Sequence, residues 1–220
     1  MKTLCVSLLL AICGTGVSAQ DVTARLAGRV PLDVAALVQQ LATSAAARGL
    51  PVDPLIQKAI EGSAKGVPTD RVATALRSLV AQLDVAAAAL REAGLAQPDT
   101  DAIAAGAFAV NAGLSSRHVT ALAVASGPSN SVAATLRVAS TLAAMGVPPA
   151  QTVELVTQVI EAGGSTTDVL ALPTAVMAGV SQGQGRGRGL TPAQAAEGLT
   201  RAAAARANAP GQGKPKPGKP

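Results

Sequence analysis

A glycine-centred turn recurs along the chain and limits the fold more than any other feature. Each glycine is followed by one apolar residue, then by Pro, Ser or Thr, and about six residues after the glycine by a new apolar position. Glycine ends a helix in the left-handed conformation without a Cβ clash, and the apolar residue packs back on that helix. Pro, Ser and Thr suit the start of the next helix. The pattern predicts consecutive helices joined by tight turns, with the clearest examples at Gly49-Leu50-Pro51, Gly66-Val67-Pro68, Gly113-Leu114-Ser115, Gly146-Val147-Pro148 and Gly189-Leu190-Thr191.

Between these turns the apolar residues have helical spacing. Val72, Leu76, Leu79, Val80 and Leu83 fall at i, i+4, i+7, i+8 and i+11. The chain has 49 alanines, one phenylalanine and no Trp or Tyr. Alanine is the best helix former, whereas strands favour β-branched and aromatic residues. We therefore predict an all-α fold with about nine helices, at 32–48, 53–65, 69–93, 100–112, 116–126, 130–145, 149–162, 167–180 and 191–207.

The sequence leaves two helical architectures open. Pairs of predicted helices span roughly 33 to 47 residues, which is in the range of α-solenoid repeats. An irregular helical bundle accounts for the same tight turns. Two further expectations concern single residues. Pro173 should break or kink the eighth helix, and Gly106, inside the fourth, should accept alanine unless close packing forbids the methyl group.

The N-terminal segment has the features of an export signal. Lys2 precedes an apolar run from Leu4 to Cys13, and Val17-Ser18-Ala19 ends in small residues. This order predicts a signal peptide that is cleaved between Ala19 and Gln20, and hence a periplasmic or secreted protein. Ten apolar residues are too few for a membrane span, which needs about 20. We expect no later stretch to be long and apolar enough to span.

Both cysteines lie inside this signal. Leu10-Ala11-Ile12-Cys13 resembles a lipoprotein cleavage box, in which the cysteine would be lipidated. The residue before that cysteine should be small, and Ile12 is not, so cleavage after Ala19 is the favoured interpretation. The mature chain would then contain no cysteine and would be stabilised by its core without disulfides.

The charges divide the mature chain into a neutral body and a basic end. Thirteen cations and thirteen anions lie between Asp21 and Ala205. A neutral body argues against a nucleic-acid-binding domain, which would carry a basic face. The excess cations that follow could contact an anionic wall or lipid surface, and they are Arg206, Lys214, Lys216 and Lys219. The predicted organisation is a signal peptide (1–19), a lead-in (20–30), a helical domain (31–207) with a flexible Gly/Arg loop (181–189), and a disordered basic tail (208–220).

Residues that could carry out chemistry are sparse. His118 is the single histidine and has no cluster of carboxylates near it in sequence, so we predict neither a metal site nor a nucleophile–base pair. Asp99 and Asp101 are the closest carboxylate pair, but they stand where a helix begins, and negative charge is favoured there. Residues 213–219 imitate a phosphate-binding loop, but Pro220 stands where that motif requires Ser or Thr. Arg186 and Arg188, each between glycines, are interpreted as part of a solvated linker.

These observations favour binding over catalysis. The sequence predicts an exported, non-catalytic helical-repeat protein that acts as a scaffold for a protein or peptide partner, without a cofactor. The alternative is a structural cell-envelope protein whose basic tail contacts anionic wall or lipid surfaces. An enzyme is disfavoured because catalytic sites draw on titratable groups that are scarce here.

Overall fold

The computed structural model describes residues 19–185 and 189–207, and all regular elements within them are α-helices. The predicted all-α class is therefore confirmed. The nine predicted helices are present with ends that differ by at most two residues, except that the eighth is longer. The helices are α1 (Ala19–Leu26), α2 (Leu32–Ala47), α3 (Asp53–Ala64), α4 (Thr69–Glu92), α5 (Thr100–Asn111), α6 (Ser116–Ser126), α7 (Val132–Ala144), α8 (Pro149–Glu161), α9 (Thr166–Gly185) and α10 (Pro192–Ala207).

The turns at Gly49, Gly66, Gly113 and Gly146 have the geometry that their sequence predicts, whereas Gly189 directly follows residues outside the described part of the chain. Gly66 and Gly146 have φ values of 65° and 93°. After Gly146, the backbone N–H of Val147 donates to the carbonyl oxygen of Leu142 over 3.1 Å, and the Val147 side chain is buried. This six-to-one hydrogen bond with an apolar contact is a Schellman motif. The same bond joins Val67 to Gly62 after Gly66, so the turns are stop signals with a hydrophobic contact.

The helices are stacked in chain order. Within residues 19–185 and 189–207, all extensive helix–helix contacts join helices one or two positions apart. The odd-numbered helices α5, α7 and α9 pack on one another in succession, and so do the even-numbered helices from α2 to α10. This arrangement has the nearest-neighbour character of helical repeats rather than the mutual contacts of a closed bundle. One neighbouring pair departs from the order, since α3 and α5 do not pack extensively.

Alanine and glycine allow close helix packing at the centre of the stack. The buried face of α5 consists mainly of alanines, with Ile103 as its largest member. A Cβ atom placed on Gly106 would lie 2.9 Å from the Cβ of Ala86 on α4. Contacts below 3.0 Å require the two helices to separate, so Gly106 is a packing residue. The sequence predicts that Gly106 accepts alanine unless close packing forbids the methyl group. The structure shows this close packing, so alanine is not expected to fit here.

Helix α1 lies mostly within the segment 20–30, for which the sequence predicts only a lead-in. Its apolar signal consists of only two positions, Val22 and Leu26, both of which are buried. A helix of eight residues is marginal by itself. It is held by packing on α2 and α3 and by an ion pair between Arg25 and Asp53. Two apolar positions are too few to show helical periodicity, and Asp53 lies 28 positions from Arg25, so the local sequence does not reveal the helix.

Pro173 does not break α9, which continues from Thr166 to Gly185. The proline removes the hydrogen bond that a residue at this position would donate to the carbonyl of Val169, which costs about 3 kcal/mol in a helix interior. Val169, Leu172 and Val176 are all buried, on both sides of the proline, so packing holds the helix together. The predicted loop at 181–189 is also corrected in part, because residues 181–185 are helical.

Helix α4 is long and apolar enough to cross a membrane by length and composition, contrary to the expectation from sequence. Its alanines, including 86–89, raise the mean hydropathy although each buries little surface. In the structure α4 packs against α2, α3, α5 and α6. Its Leu76, Leu83 and Leu90 are fully buried, as in a core helix.

Candidate functional site

The separation of α3 from α5 originates in the length of α4. Helix α4 has 24 residues, whereas α3 and α5 have 12 each. Gly62 of α3 lies against Val72, near the start of α4. On α5, the side chain of Asn111 accepts a hydrogen bond from Gln82 in the middle of α4. The two shorter helices therefore cover different parts of α4 and leave a groove between them.

This α3–α5 groove has a volume of about 620 Å³, within the range of about 300–1,000 Å³ that is usual for ligand sites. Each helix contributes one face at helical spacing, and α4 forms the floor. The lining residues are Pro51, Asp53, Pro54, Gln57, Lys58 and Glu61 from the start and body of α3, Ala75, Ser78, Leu79 and Gln82 from α4, and Thr100, Asp101, Ala104, Phe108 and Asn111 from α5.

The apolar part of the groove includes the only aromatic side chain of the protein. Phe108 is 52% exposed and shares the groove with Leu79 and Pro54. Isolated exposed apolar residues are common, and Val124 and Leu170 are exposed without lining this groove. An aromatic ring within a concave apolar surface is different, since such positions contribute strongly to binding. Phe108 is therefore the strongest candidate for a contact residue.

Uncharged polar groups lie beside this apolar surface. The Gln82 Nε2 donates to the Asn111 Oδ1 over 3.2 Å, which links α4 to α5. The side chains of Gln57 and Ser78 make no hydrogen bond within the part of the chain that the structure describes. A carboxamide offers both donors and acceptors. The groove therefore provides the two kinds of hydrogen-bonding group that a peptide backbone requires.

The groove carboxylates at the first turns of α3 and α5 are neutralised by cations from neighbouring helices. Asp53 pairs with Arg25 of α1, and Asp101 pairs with Arg137 of α7. Both pairs are exposed to solvent, so each contributes little to stability, with a typical range of about 0–1 kcal/mol.

The groove continues at the α3–α4 turn into a smaller depression of about 290 Å³. We call its charged residues the basic annex: Lys58, Lys65 and Arg71, with Glu61 as the one carboxylate among its lining residues. Glu61 pairs with both lysines. The hydrogen bond from Lys65, followed by the charge of Lys58, lowers the pKa of Glu61 below its ordinary value. Arg71 forms no ion pair with the described residues.

The structure separates the residues that the sequence marked as candidates for chemistry. Asp99 caps α5 and accepts a hydrogen bond from the backbone N–H of Ala102 over 2.6 Å, as predicted. His118 is half-buried at the start of α6, where its Nδ1 accepts from the N–H of Ser115 over 3.3 Å in a capping box. Asp101 lines the groove, but Asp99 and His118 do not. The three residues therefore do not form one site.

Of the cations predicted to contact an anionic surface, only Arg206 lies within the described residues, exposed in the last turn of α10. Lys214, Lys216 and Lys219 lie outside them, as do Arg186, Arg188 and the signal segment 1–18. Within residues 19–185 and 189–207, no three His, Cys, Asp or Glu side chains are placed to hold a metal ion.

Sequence reasoning did not find the groove. Its walls join residues about 50 positions apart, such as Pro54 and Ala104, and no local motif connects them. Two features of the sequence point toward the groove: the helix predicted at 69–93 is much longer than its neighbours, and Phe108 is the only Phe, Tyr or Trp in the chain. Comparisons with known protein families, with curated proteins and with solved structures find no match to this chain.

Proposed function

We propose that the protein is an exported, non-catalytic scaffold that binds a peptide segment of a partner protein in the α3–α5 groove. The observation that carries the proposal is the half-exposed Phe108 in an apolar groove flanked by carboxamides. Peptide recognition commonly combines apolar anchors with hydrogen bonds to the main chain. The linear stack of helices supports the same function, because repeat arrays present extended surfaces to partners.

Catalysis has weaker support in the same groove. Its hydroxyl groups, Ser78 and Thr100, have no histidine among the groove residues to act as a base. The carboxylates Asp53 and Asp101 are ion-paired. The groove therefore has the residues for holding a ligand, without an activated nucleophile or a poised proton donor.

The groove proposal is tested with a random peptide display library selected against the protein lacking residues 1–19. We expect selected peptides to bind through an apolar anchor, and Phe108→Ala to weaken their binding about tenfold, because loss of a central interface side chain costs more than about 1 kcal/mol. Fluorescence polarisation with the selected synthetic peptides measures the dissociation constants.

Val124→Ala is the matched control. Val124 is 61% exposed on α6, outside the groove, so its removal should leave peptide affinity unchanged. Selected peptides that bind Phe108→Ala and Val124→Ala equally well would place recognition elsewhere and overturn the groove proposal. Circular dichroism of both variants establishes that the helical fold is retained.

Export is tested by intact-mass measurement of the protein recovered outside the cytoplasm of an expressing bacterium. We expect a chain that begins at Gln20, because Val17-Ser18-Ala19 supplies the small residues that signal cleavage requires. A lipid-modified chain that begins at Cys13 would instead identify a lipoprotein. Recovery of uncleaved protein in the cytoplasm alone would contradict export.

A further inference from the structure

The two ends of the α3–α5 groove differ in charge balance. Toward the start of α5, Asp101 is neutralised by Arg137. At the α3–α4 turn, the basic annex sets Lys58, Lys65 and Arg71 against Glu61 alone. The cations therefore exceed the carboxylates only at the annex end.

The alignment of the helices fixes the direction of this asymmetry. Gln82 of α4 meets Asn111 of α5, and Ala86 meets Gly106, so α5 runs antiparallel to α4. The first turn of α5, with Asp101, therefore lies toward the C-terminal half of α4. Arg71 is in the first turn of α4, at the opposite end. The apolar surface around Phe108 lies between these two ends.

We propose that the groove selects an acidic peptide segment, with an apolar side chain on Phe108 and carboxylates held by Lys65 and Arg71 of the basic annex. This inference rests on the proposed function of the groove and names the chemistry of its partner. The argument is charge complementarity. The excess cations of the basic annex attract carboxylates of a ligand, and no carboxylate of the described residues pairs with Arg71. Asp70 is adjacent to Arg71 in the sequence but does not line the annex.

The spacing within the ligand follows from helix geometry. Arg71 and Gln82 are 11 residues apart on α4, which corresponds to about 16 Å at a rise of about 1.5 Å per residue. Phe108 lies about one helical turn further from Arg71 than Asn111, the partner of Gln82, so the anchor is about 20 Å from Arg71. An extended peptide covers about 3.3 Å per residue, so about six residues separate its apolar anchor from its carboxylates. Gln57 and Ser78 lie along this path and supply hydrogen bonds for the intervening backbone.

The test compares two pools of fluorescein-labelled synthetic peptides. Both pools carry Leu or Phe near one end. The acidic pool has Asp or Glu about six residues further on, and the basic pool has Lys at the same positions. We expect the protein to bind the acidic pool about tenfold more tightly, with the preference weakening as salt screens the exposed charges. Equal binding of both pools, dependent on Phe108, would overturn the acidic partner and leave the groove function intact.

Arg71→Glu supplies the decisive variant, and Arg77→Glu is its matched control. Arg77 is an exposed cation on the same helix that lines neither the groove nor the annex. Both changes alter the net charge equally, so a general charge effect would weaken binding in both. We expect Arg71→Glu to abolish the preference for the acidic pool and Arg77→Glu to preserve it. Loss of the preference in both variants would overturn the assignment.

A membrane surface is the competing source of negative charge, and vesicles that contain phosphatidylglycerol test it. Binding of these vesicles that is lost in Arg71→Glu but unaffected by Phe108→Ala would assign the basic annex to lipid and overturn the peptide proposal. If neither peptide pool binds, or if Phe108→Ala weakens the binding of neither pool, the proposed function of the groove is overturned. The two failures are thus distinguished by the Phe108 variant.

Discussion

Gly106→Ala is expected to destabilise the protein by about 1–3 kcal/mol, although alanine is the better helix former. The added methyl group would lie 2.9 Å from the Cβ of Ala86 and 3.6 Å from Val119. The Ala86 Cβ is attached directly to the backbone, so only a shift of α4 or α5 relieves the contact. Such a shift also disturbs the groove between α3 and α5. Urea unfolding followed by circular dichroism measures the change.

Alanine substitutions at two other glycines distinguish a steric clash from an unfavourable backbone conformation as the cause of destabilisation. Gly198 is exposed inside α10, and no atom lies within 4 Å of a Cβ placed there, so Gly198→Ala should stabilise the protein by about 0.5–1 kcal/mol. Gly66 also has open space around a Cβ placed on it, but its φ is 65°. Gly66→Ala should therefore lower the free energy of unfolding by about 1 kcal/mol, because alanine disfavours this left-handed backbone conformation. If alanine at position 106 stabilised the protein as it does at 198, α4 and α5 would not be in close contact.

The extent to which the sequence predicts this fold depends on the range of the interactions involved. Turns at Gly66 and Gly146 involve six neighbouring residues, so their signals are complete within the local sequence. The same holds for the Asp99 cap. Helix α1 and the continuity of α9 across Pro173 depend on packing against other helices. The local sequence therefore does not indicate α1, and of the break or kink expected at Pro173 the break does not occur.

The groove shows the same dependence more strongly. It exists because α3 and α5 lie on different parts of α4, which follows from relative helix lengths and from packing angles. The ion pair between Asp101 and Arg137 also joins residues 36 positions apart. Apolar periodicity identifies which face of each helix is buried. It does not identify which other helix packs against that face, so the groove between two helices cannot be located from it.

Leu122→Ala is expected to lower the free energy of unfolding by about 3–4 kcal/mol. Leu122 is fully buried on α6, and α6 packs against α4, α5, α7 and α8. Removal of the side chain leaves a cavity between helices on both sides of α6. Folded domains typically have a stability of about 5–15 kcal/mol, so this single change is expected to remove a large fraction of the total. Urea unfolding measures the loss.

The distribution of that loss along the chain distinguishes a linear stack from a cooperative bundle. Val22 on α1 is also buried, but α1 packs extensively only on α2 and α3. In a stack of nearest-neighbour contacts, Val22→Ala should reduce amide hydrogen-exchange protection in α1 to α3 and leave α6 to α9 unchanged. Leu122→Ala should reduce protection on both sides of α6, because the central contacts couple the two halves. Uniform loss of protection from α1 to α9 in Val22→Ala would show that the helices unfold as one unit, and the groove would then open only when the whole domain does.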